Sequence, residues 1–339
     1  MVVNVFESPT AIWLYSRNLI KVNNRMITVY DAFPKSGIIS KIEREIQMTS
    51  DAYLGTHFLH RKITGYEFDI LHYADPIVPP VMDPQGVEHS VVTIHDNPVM
   101  LIDSDLYSPN SLAGKITKNY LKRNFEKYKE FDRVLVVSDY VRNSLIRYGF
   151  TGQTDTIYLP ITPYFRHLDN KIALRRELGL PLHKKLILSV STKVKRKNLI
   201  LIEKALRRMD KSYRLVRVGE RIGESITFTN VDNETVNRIY NACDVLVIPS
   251  FEEGLGLPVI EAFAAGIPVV ASDIEVFHEI GGGAPEYIDP YSVDSLVSGI
   301  PNALSTSDEK ITLGYEMAKK FSFDIFRTKM TRYYERLNI

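Results

Sequence analysis

The chain has 339 residues, 45% hydrophobic and 24% charged, and a formal charge of +1. Residues 1–165 carry 17 basic and 18 acidic side chains and the remainder 25 and 23, a balance that excludes the basic field of a nucleic-acid protein. The single cysteine, Cys243, excludes an internal disulfide or thiolate metal cluster and points to a reducing cytoplasm.

In chain order, the start MVVNVFESPTAIWLY lacks a basic n-region and is broken by Glu7 and Pro9, so it does not read as a signal peptide. No run approaches the ~20 apolar residues of a membrane span. VVNVF (2–6), MITVY (26–30), DILHY (69–73), VVTI (91–94) and VLVV (134–137) are rich in β-branched residues and bounded by polar or turn residues, the pattern of buried parallel strands. His95 and Asp96 follow VVTI directly, at the carboxyl edge where open α/β sheets bind ligands. DSD at 103–105 matches a metal-binding tripeptide but follows a loop, and reads as surface.

GKITKNYLKRNFEKYKEF (114–131) interleaves cations with Tyr120, Phe125, Tyr128 and Phe131. It predicts either a helix lying on anionic lipid or a surface helix with its aromatics in the core. At YLPITPYF (158–165), Pro160 and Pro163 prevent continuous helix and mark a linker. The strand–helix rhythm then restarts with LILSV (186–190), RLVRV (214–218), VLVI (245–248) and PVVAS (268–272). Two doubly wound α/β units follow. Phe326, Met330, Tyr333 and Leu337 recur at helical spacing near the carboxyl end.

Two stretches carry chemistry. STKVKRKN (191–198) places Lys193, Lys195, Arg196 and Lys197 between a strand and a helix start. Cations there oppose the helix dipole and repel one another, so the placement calls for an anion such as a diphosphate. In PSFEEGLGLPVIEAFAAGIPVVAS (249–272), Pro258 sits where a helix begins, and Gly254 and Gly256 precede it. Such a terminus suits a phosphate, while Glu253 and Glu261 suit hydroxyl donors. A nucleotide sugar has that layout. The alternative readings are a solvated basic loop and a capped helix with solvated first-turn charges. GGG at 281–283 reads as a turn.

These residues resemble the retaining GT-B glycosyltransferases of family 4. The acidic segment 249–272, STKVKRKN, NRIYNACDVLVIPS (237–250) and TIHD (93–96) carry the resemblance. It implies an α/β GT-B fold of two Rossmann-like domains facing a cleft: an acceptor-side domain over 1–164, a donor domain over 165–320, and a last helix over 321–339 that returns to the first domain. It also implies metal-independent transfer of a mannose- or glucose-type hexose to a glycan, lipid or small-molecule acceptor, with no cofactor beyond the nucleotide diphosphate sugar. Carried over by position, His95 reaches the sugar, Glu253 contacts its hydroxyls, and Glu261 holds the ribose. Arg196 and Lys197 grip the diphosphate, Gly254, Leu255, Gly256 and Leu257 line it with backbone, and Val231 in ITFTNVDNET (226–235) marks the base loop. The TIHD and RKN forms lean toward GDP-mannose, with UDP-sugars open.

The chain departs from the family in four places. FESPTAIW (6–13) lacks a glycine-rich loop, Ser191 stands where a glycine is usual, ITPYF (161–165) replaces Asn-Gly-Val-Asp, and the base loop ITFTNVDNET (226–235) that holds Val231 lacks its common glycine. Two alternatives stay open: a nucleotide-sugar epimerase of the same fold, and a non-catalytic partner subunit. The expected setting is cytoplasmic, with 114–131 as a candidate contact to the cytoplasmic membrane face.

Overall fold

A computed structural model describes residues 2–3, 28–29, 68–73, 87–97, 122 and 125–337. The chain divides into two compact units, Met1–Leu159 with Phe326–Ile339, and Pro160–Ile325. FESPTAIW, DSD at 103–105 and most of 114–131 lie outside the described residues.

In the first unit, β1 (Val2–Val3), β2 (Thr28–Val29), β3 (Phe68–Tyr73), β4 (Val87–Ile94), β5 (Arg133–Val136) and β6 (Thr154–Thr156) form one sheet in the order β2-β1-β3-β4-β5-β6. Every pairing is parallel. Parallel strands are covered on both faces, which is why VVTI and VLVV read as unbroken apolar runs. Helix α1 (Asp139–Arg147) follows β5, capped by Ser138, whose hydroxyl accepts from the Val141 amide. Of the 114–131 stretch, residues 125–128 are helical, and Phe125 and Tyr128 are buried. Lys127 and Lys129 pair with Glu130 and Glu126. Phe125 and Tyr128 thus belong to the core, while Phe131 is half-buried and Tyr120 lies outside the described residues.

The second unit is a six-stranded parallel sheet in the order β12-β11-β10-β7-β8-β9. Its strands are β7 (Lys185–Val190), β8 (Tyr213–Val218), β9 (Ile226–Phe228), β10 (Val245–Ile248), β11 (Val269–Ser272) and β12 (Glu286–Ile288). Helix α2 (Lys171–Glu177) precedes them, and α3 (Leu199–Leu206), α4 (Asn233–Ala242), α5 (Leu257–Ala265), α6 (Glu275–Gly281), α7 (Val293–Leu304) and α8 (Asp308–Lys319) connect or follow them. One face packs Ile187, Leu215, Val245, Val247 and Val270 against Leu199 and Ile202 of α3 and Leu296 and Ile300 of α7. The chain runs outward from β7 through β8 to β9, then returns to β10 beside β7. That reversal is a topological switch point, the place where open α/β sheets bind ligands.

The division between units falls at Pro160, inside YLPITPYF and earlier than the 164/165 boundary read from the sequence. Local hydrogen bonding explains it. Ile161 N donates to Phe321 O, Arg166 N and Leu168 N donate to the buried Asn237 and Asn241 of α4, and Phe165 meets Tyr240 edge to face. These contacts hold 161–168 on the second unit.

Helix α9 (Phe323–Glu335) bears Phe326, Met330 and Tyr333, which are buried, as is Leu337 beyond its end. In the first unit Tyr334 Oη lies 2.7 Å from His72 Nδ1, and His72 Nε2 lies 2.7 Å from Thr93 Oγ1. Burial lowers the His72 pKa to about 3, so the ring is a neutral connector between the terminal helix and β3 and β4.

Candidate functional site

Two loops leave the sheet of the second unit on either side of its switch point. After β7, residues 191–198 carry the cations and close as a short 3-10 turn over Lys195–Lys197. After β10, residues 249–256 carry the acids and lead into α5. The loops are tied together: Phe251 N donates to Arg196 O at 2.8 Å, and the Asn198 amide donates to Pro249 O at 3.0 Å and Pro290 O at 2.7 Å. Asn198 takes the left-handed conformation, φ 51°, which asparagine tolerates better than most side chains.

Lys197, Arg196 and Glu253 meet. Lys197 Nζ donates to both Glu253 oxygens at 2.6 and 2.7 Å, Arg196 Nη1 to Oε2 at 3.1 Å, and Ser250 Oγ to Oε1 at 2.8 Å. Arg196 also reaches the Glu252 carbonyl. Glu253 is buried, and burial alone would raise its pKa. The Lys197 and Arg196 charges and the hydrogen bonds outweigh burial and hold the carboxyl below its usual range. The sequence reading that these cations lack an anion is therefore corrected in part, because Glu253 itself is the anion that relieves their repulsion.

The glycine–proline pattern does what its chemistry requires. Gly256 caps α5 at φ 90°, and a Cβ there would lie 2.6 Å from the Phe277 ring, so glycine is demanded by both conformation and packing. Pro258 occupies the first turn of α5, where its missing N–H costs nothing. Gly254, Leu255 and Gly256 are buried and Leu257 half-buried.

Glu261, half-buried on α5, accepts from Tyr240 Oη at 2.7 Å. Burial pushes its pKa up to about 7, against the lowering effect of that hydrogen bond. Tyr240 Oη also lies 3.3 Å from Pro258 O, so the phenol bridges α4 to the first turns of α5.

Val231 lies half-buried between β9 and α4, on the same carboxyl edge as the other loops. ITF of the expected base loop is strand β9, and Asp232 caps α4 by accepting from the Thr235 amide at 2.7 Å. The loop is thereby shortened to residues 229–232. His95 is buried and follows β4 in the first unit, as the sequence predicts.

Ser250, Asn198 and Tyr240 lay inside the quoted motifs without a role. Ser250 was within reach of sequence reasoning, three residues before Glu253, but Tyr240 stands 21 positions from its partner. Among the described residues no group of three His, Cys, Asp or Glu side chains could hold a metal ion, and no helix is long and apolar enough to cross a membrane.

Residues 170–320 match the family described as Glycosyl transferases group 1, and residues 48–163 match Glycosyltransferase Family 4. The chain is 27% identical to the O-antigen chain mannosyltransferase B of Escherichia coli, over 97% of this chain and 96% of that protein. It is 37% identical to the O-antigen chain mannosyltransferase RfbU of Salmonella typhimurium over 25% of this chain and 24% of that one. Among solved structures, sucrose-phosphate synthase from Thermosynechococcus elongatus aligns with TM-score 0.75 at 20% identity over 91% of this chain and 83% of its own. WaaG, a glycosyltransferase involved in lipopolysaccharide biosynthesis, aligns with TM-score 0.73 at 15% identity over 98% of both chains. Anabaena HepE in complex with UDP-glucose gives 0.71 at 14% identity over 99% of this chain and 98% of that chain.

Proposed function

We propose that this chain, which belongs to the GT-B glycosyltransferases, moves a hexose from a nucleotide diphosphate donor to a glycan or lipid-linked acceptor with retention of configuration. The observation that carries this reading is the meeting of Lys197, Arg196 and Glu253 at the switch point of a Rossmann-ordered sheet. In the proposal, the donor diphosphate takes up the Lys197 and Arg196 donors beside the amino end of α5. Fixed cations and a helix terminus stabilise the charge that develops on the departing nucleoside diphosphate. No divalent metal is then required.

Glu253, released from its cations, accepts from hydroxyls of the transferred sugar, and the backbone of Gly254–Leu257 lines the sugar and phosphates. Ionised Glu261 accepts from the ribose hydroxyls, and Val231 borders the base. His95, in the other unit, is assigned to the sugar by resemblance alone. GDP-mannose is the favoured donor, supported by relatives named as mannosyltransferases in O-antigen synthesis.

A thermal-shift panel of UDP-, GDP- and ADP-sugars tests the donor, since a ligand that binds the native state raises the melting temperature. The expected result is stabilisation by GDP-mannose above the others, with transfer persisting in EDTA and an axial anomeric product by NMR. Stabilisation by none of the panel, with no transfer to any lipid-linked glycan, would refute the reading.

A further inference from the structure

Arg217 on β8 is fully buried, 0% exposed. The register sets it beside Ser189 of β7, on the sheet face that packs Leu215 and Ile187 against α3. Its guanidinium donates from Nη1 to Ser189 Oγ at 2.9 Å, Ser189 O at 3.5 Å and Ser191 Oγ at 3.0 Å. Nη2 donates to Ser191 O at 2.7 Å, and Nε to Glu220 O at 3.3 Å. Among the described residues no carboxylate lies within ion-pair distance of this cation. Burial correspondingly lowers its pKa, opposed by the nearby Glu220 charge.

Two neighbours act on the same loop. Gly219 has φ 126°, and a Cβ there would collide with the Ser191 carbonyl, so only glycine lets the end of β8 come this close. The Glu220 carboxylate reaches across to accept from the Lys193 amide at 2.8 Å.

A buried cation without a counterion is costly, and an apolar side chain of similar length would fill the same space. What the planar fork adds is a two-pronged hold on Ser191 through carbonyl and hydroxyl together. Ser191 is the point where β7 ends and the cationic loop begins. The guanidinium therefore fixes the near end of the loop that carries Lys193 to Lys197. The far end of the loop is already held by Asn198 and by the Phe251–Arg196 backbone bond. Ser191 thus supplies both the hydroxyl and the carbonyl that the guanidinium grips.

We propose that Arg217 is a positioning residue that sets the cationic loop for the donor diphosphate through Ser191, with Glu220 as the outer arm of the clamp. This rests on the reading that Arg196 and Lys197 bind that diphosphate. Holding them in one geometry before binding removes an ordering cost that a loose loop would impose on the ligand.

The test measures UDP, GDP and ADP by calorimetry and the matching nucleosides by competition NMR, on the full chain carrying Arg217→Met, Arg217→Lys or Glu220→Ala. Arg217→Met is expected to weaken the diphosphate about tenfold, and the exposed Glu220→Ala about threefold, from the loss of one or two charge-assisted bonds. Nucleoside affinity stays unchanged in both. Arg217→Lys recovers part of the loss, since it keeps the charge but not the fork. Equal loss for nucleoside and diphosphate, or a lowered melting temperature with diphosphate affinity intact, overturns the proposal. Where Arg217→Met does not fold, Glu220→Ala decides alone by the same criteria. Full diphosphate affinity in Lys197→Ala would instead bring down the underlying reading.

Discussion

Glu253→Gln isolates the charge at the centre of the site, because glutamine keeps the shape and can still meet Ser250. The parent carboxylate takes Lys197 on both oxygens and Arg196 on one, and its side chain is 6% exposed. Removing one partner of a buried pair leaves the other charges uncompensated and typically costs about 3–5 kcal/mol. For a domain of this size such a loss lowers the melting temperature by roughly 10 °C. The freed cations then meet a diphosphate without having to leave a carboxylate, so affinity for UDP or GDP is expected to tighten by about tenfold, close to 1.4 kcal/mol. Differential scanning fluorimetry reads both effects: a lower ligand-free transition and a larger upward shift on adding nucleotide. The depressed folded pKa adds a pH signature. Parent stability from this group is present above the ordinary carboxyl pKa and lost as pH falls through the folded value, so variant and parent converge in acid. An unchanged ligand-free transition, or a smaller nucleotide shift in the variant, would refute the argument that Glu253 and the diphosphate compete for the same cations.

Glu261 shows the opposite dependence. Its folded pKa of about 7 exceeds the ordinary 4.5, so its contribution is full below that ordinary value and lost as pH rises toward 7. Glu261→Gln should gain stability relative to the parent at pH 8 over pH 5 by roughly 2 kcal/mol in urea titrations, allowing for its solvent-facing edge. A parent–variant difference independent of pH would contradict this. Nucleotide affinity in the parent should rise through the same range as the carboxylate ionises, and calorimetry on the glutamine variant should give a flat profile. Gly256→Ala forces a Cβ at φ 90° against Phe277 and should cost about 2–4 kcal/mol by chemical denaturation; a loss below ~1 kcal/mol would mean the ring moves aside freely. Asn198→Ala removes the donor from Pro249 O and Pro290 O, for an expected loss near 2 kcal/mol together with weaker diphosphate binding. Unaltered binding in that variant would show that the loop keeps its shape without the amide.

The sequence by itself determined the two α/β units, the carboxyl-edge position of His95, the helix start at Pro258 and the places of the cationic and acidic loops. These follow from local rules: apolar runs need burial, proline fits the first helical turn, and glycine fits where backbones crowd. The strands left unread, Thr154–Thr156, Ile226–Phe228 and Glu286–Ile288, all lie at sheet edges, and of their residues only Ile288 is buried. Edge strands need no apolar run, so local patterning does not reveal them. The tertiary structure alone decided which charges meet. Lys197 and Glu253 lie 56 positions apart and come together because the chain reverses between β7 and β10. Tyr240 meets Glu261, and Arg217 meets Ser191, for the same kind of reason. Strand order sets these neighbours, and it is fixed by packing of the whole sheet rather than by any one segment.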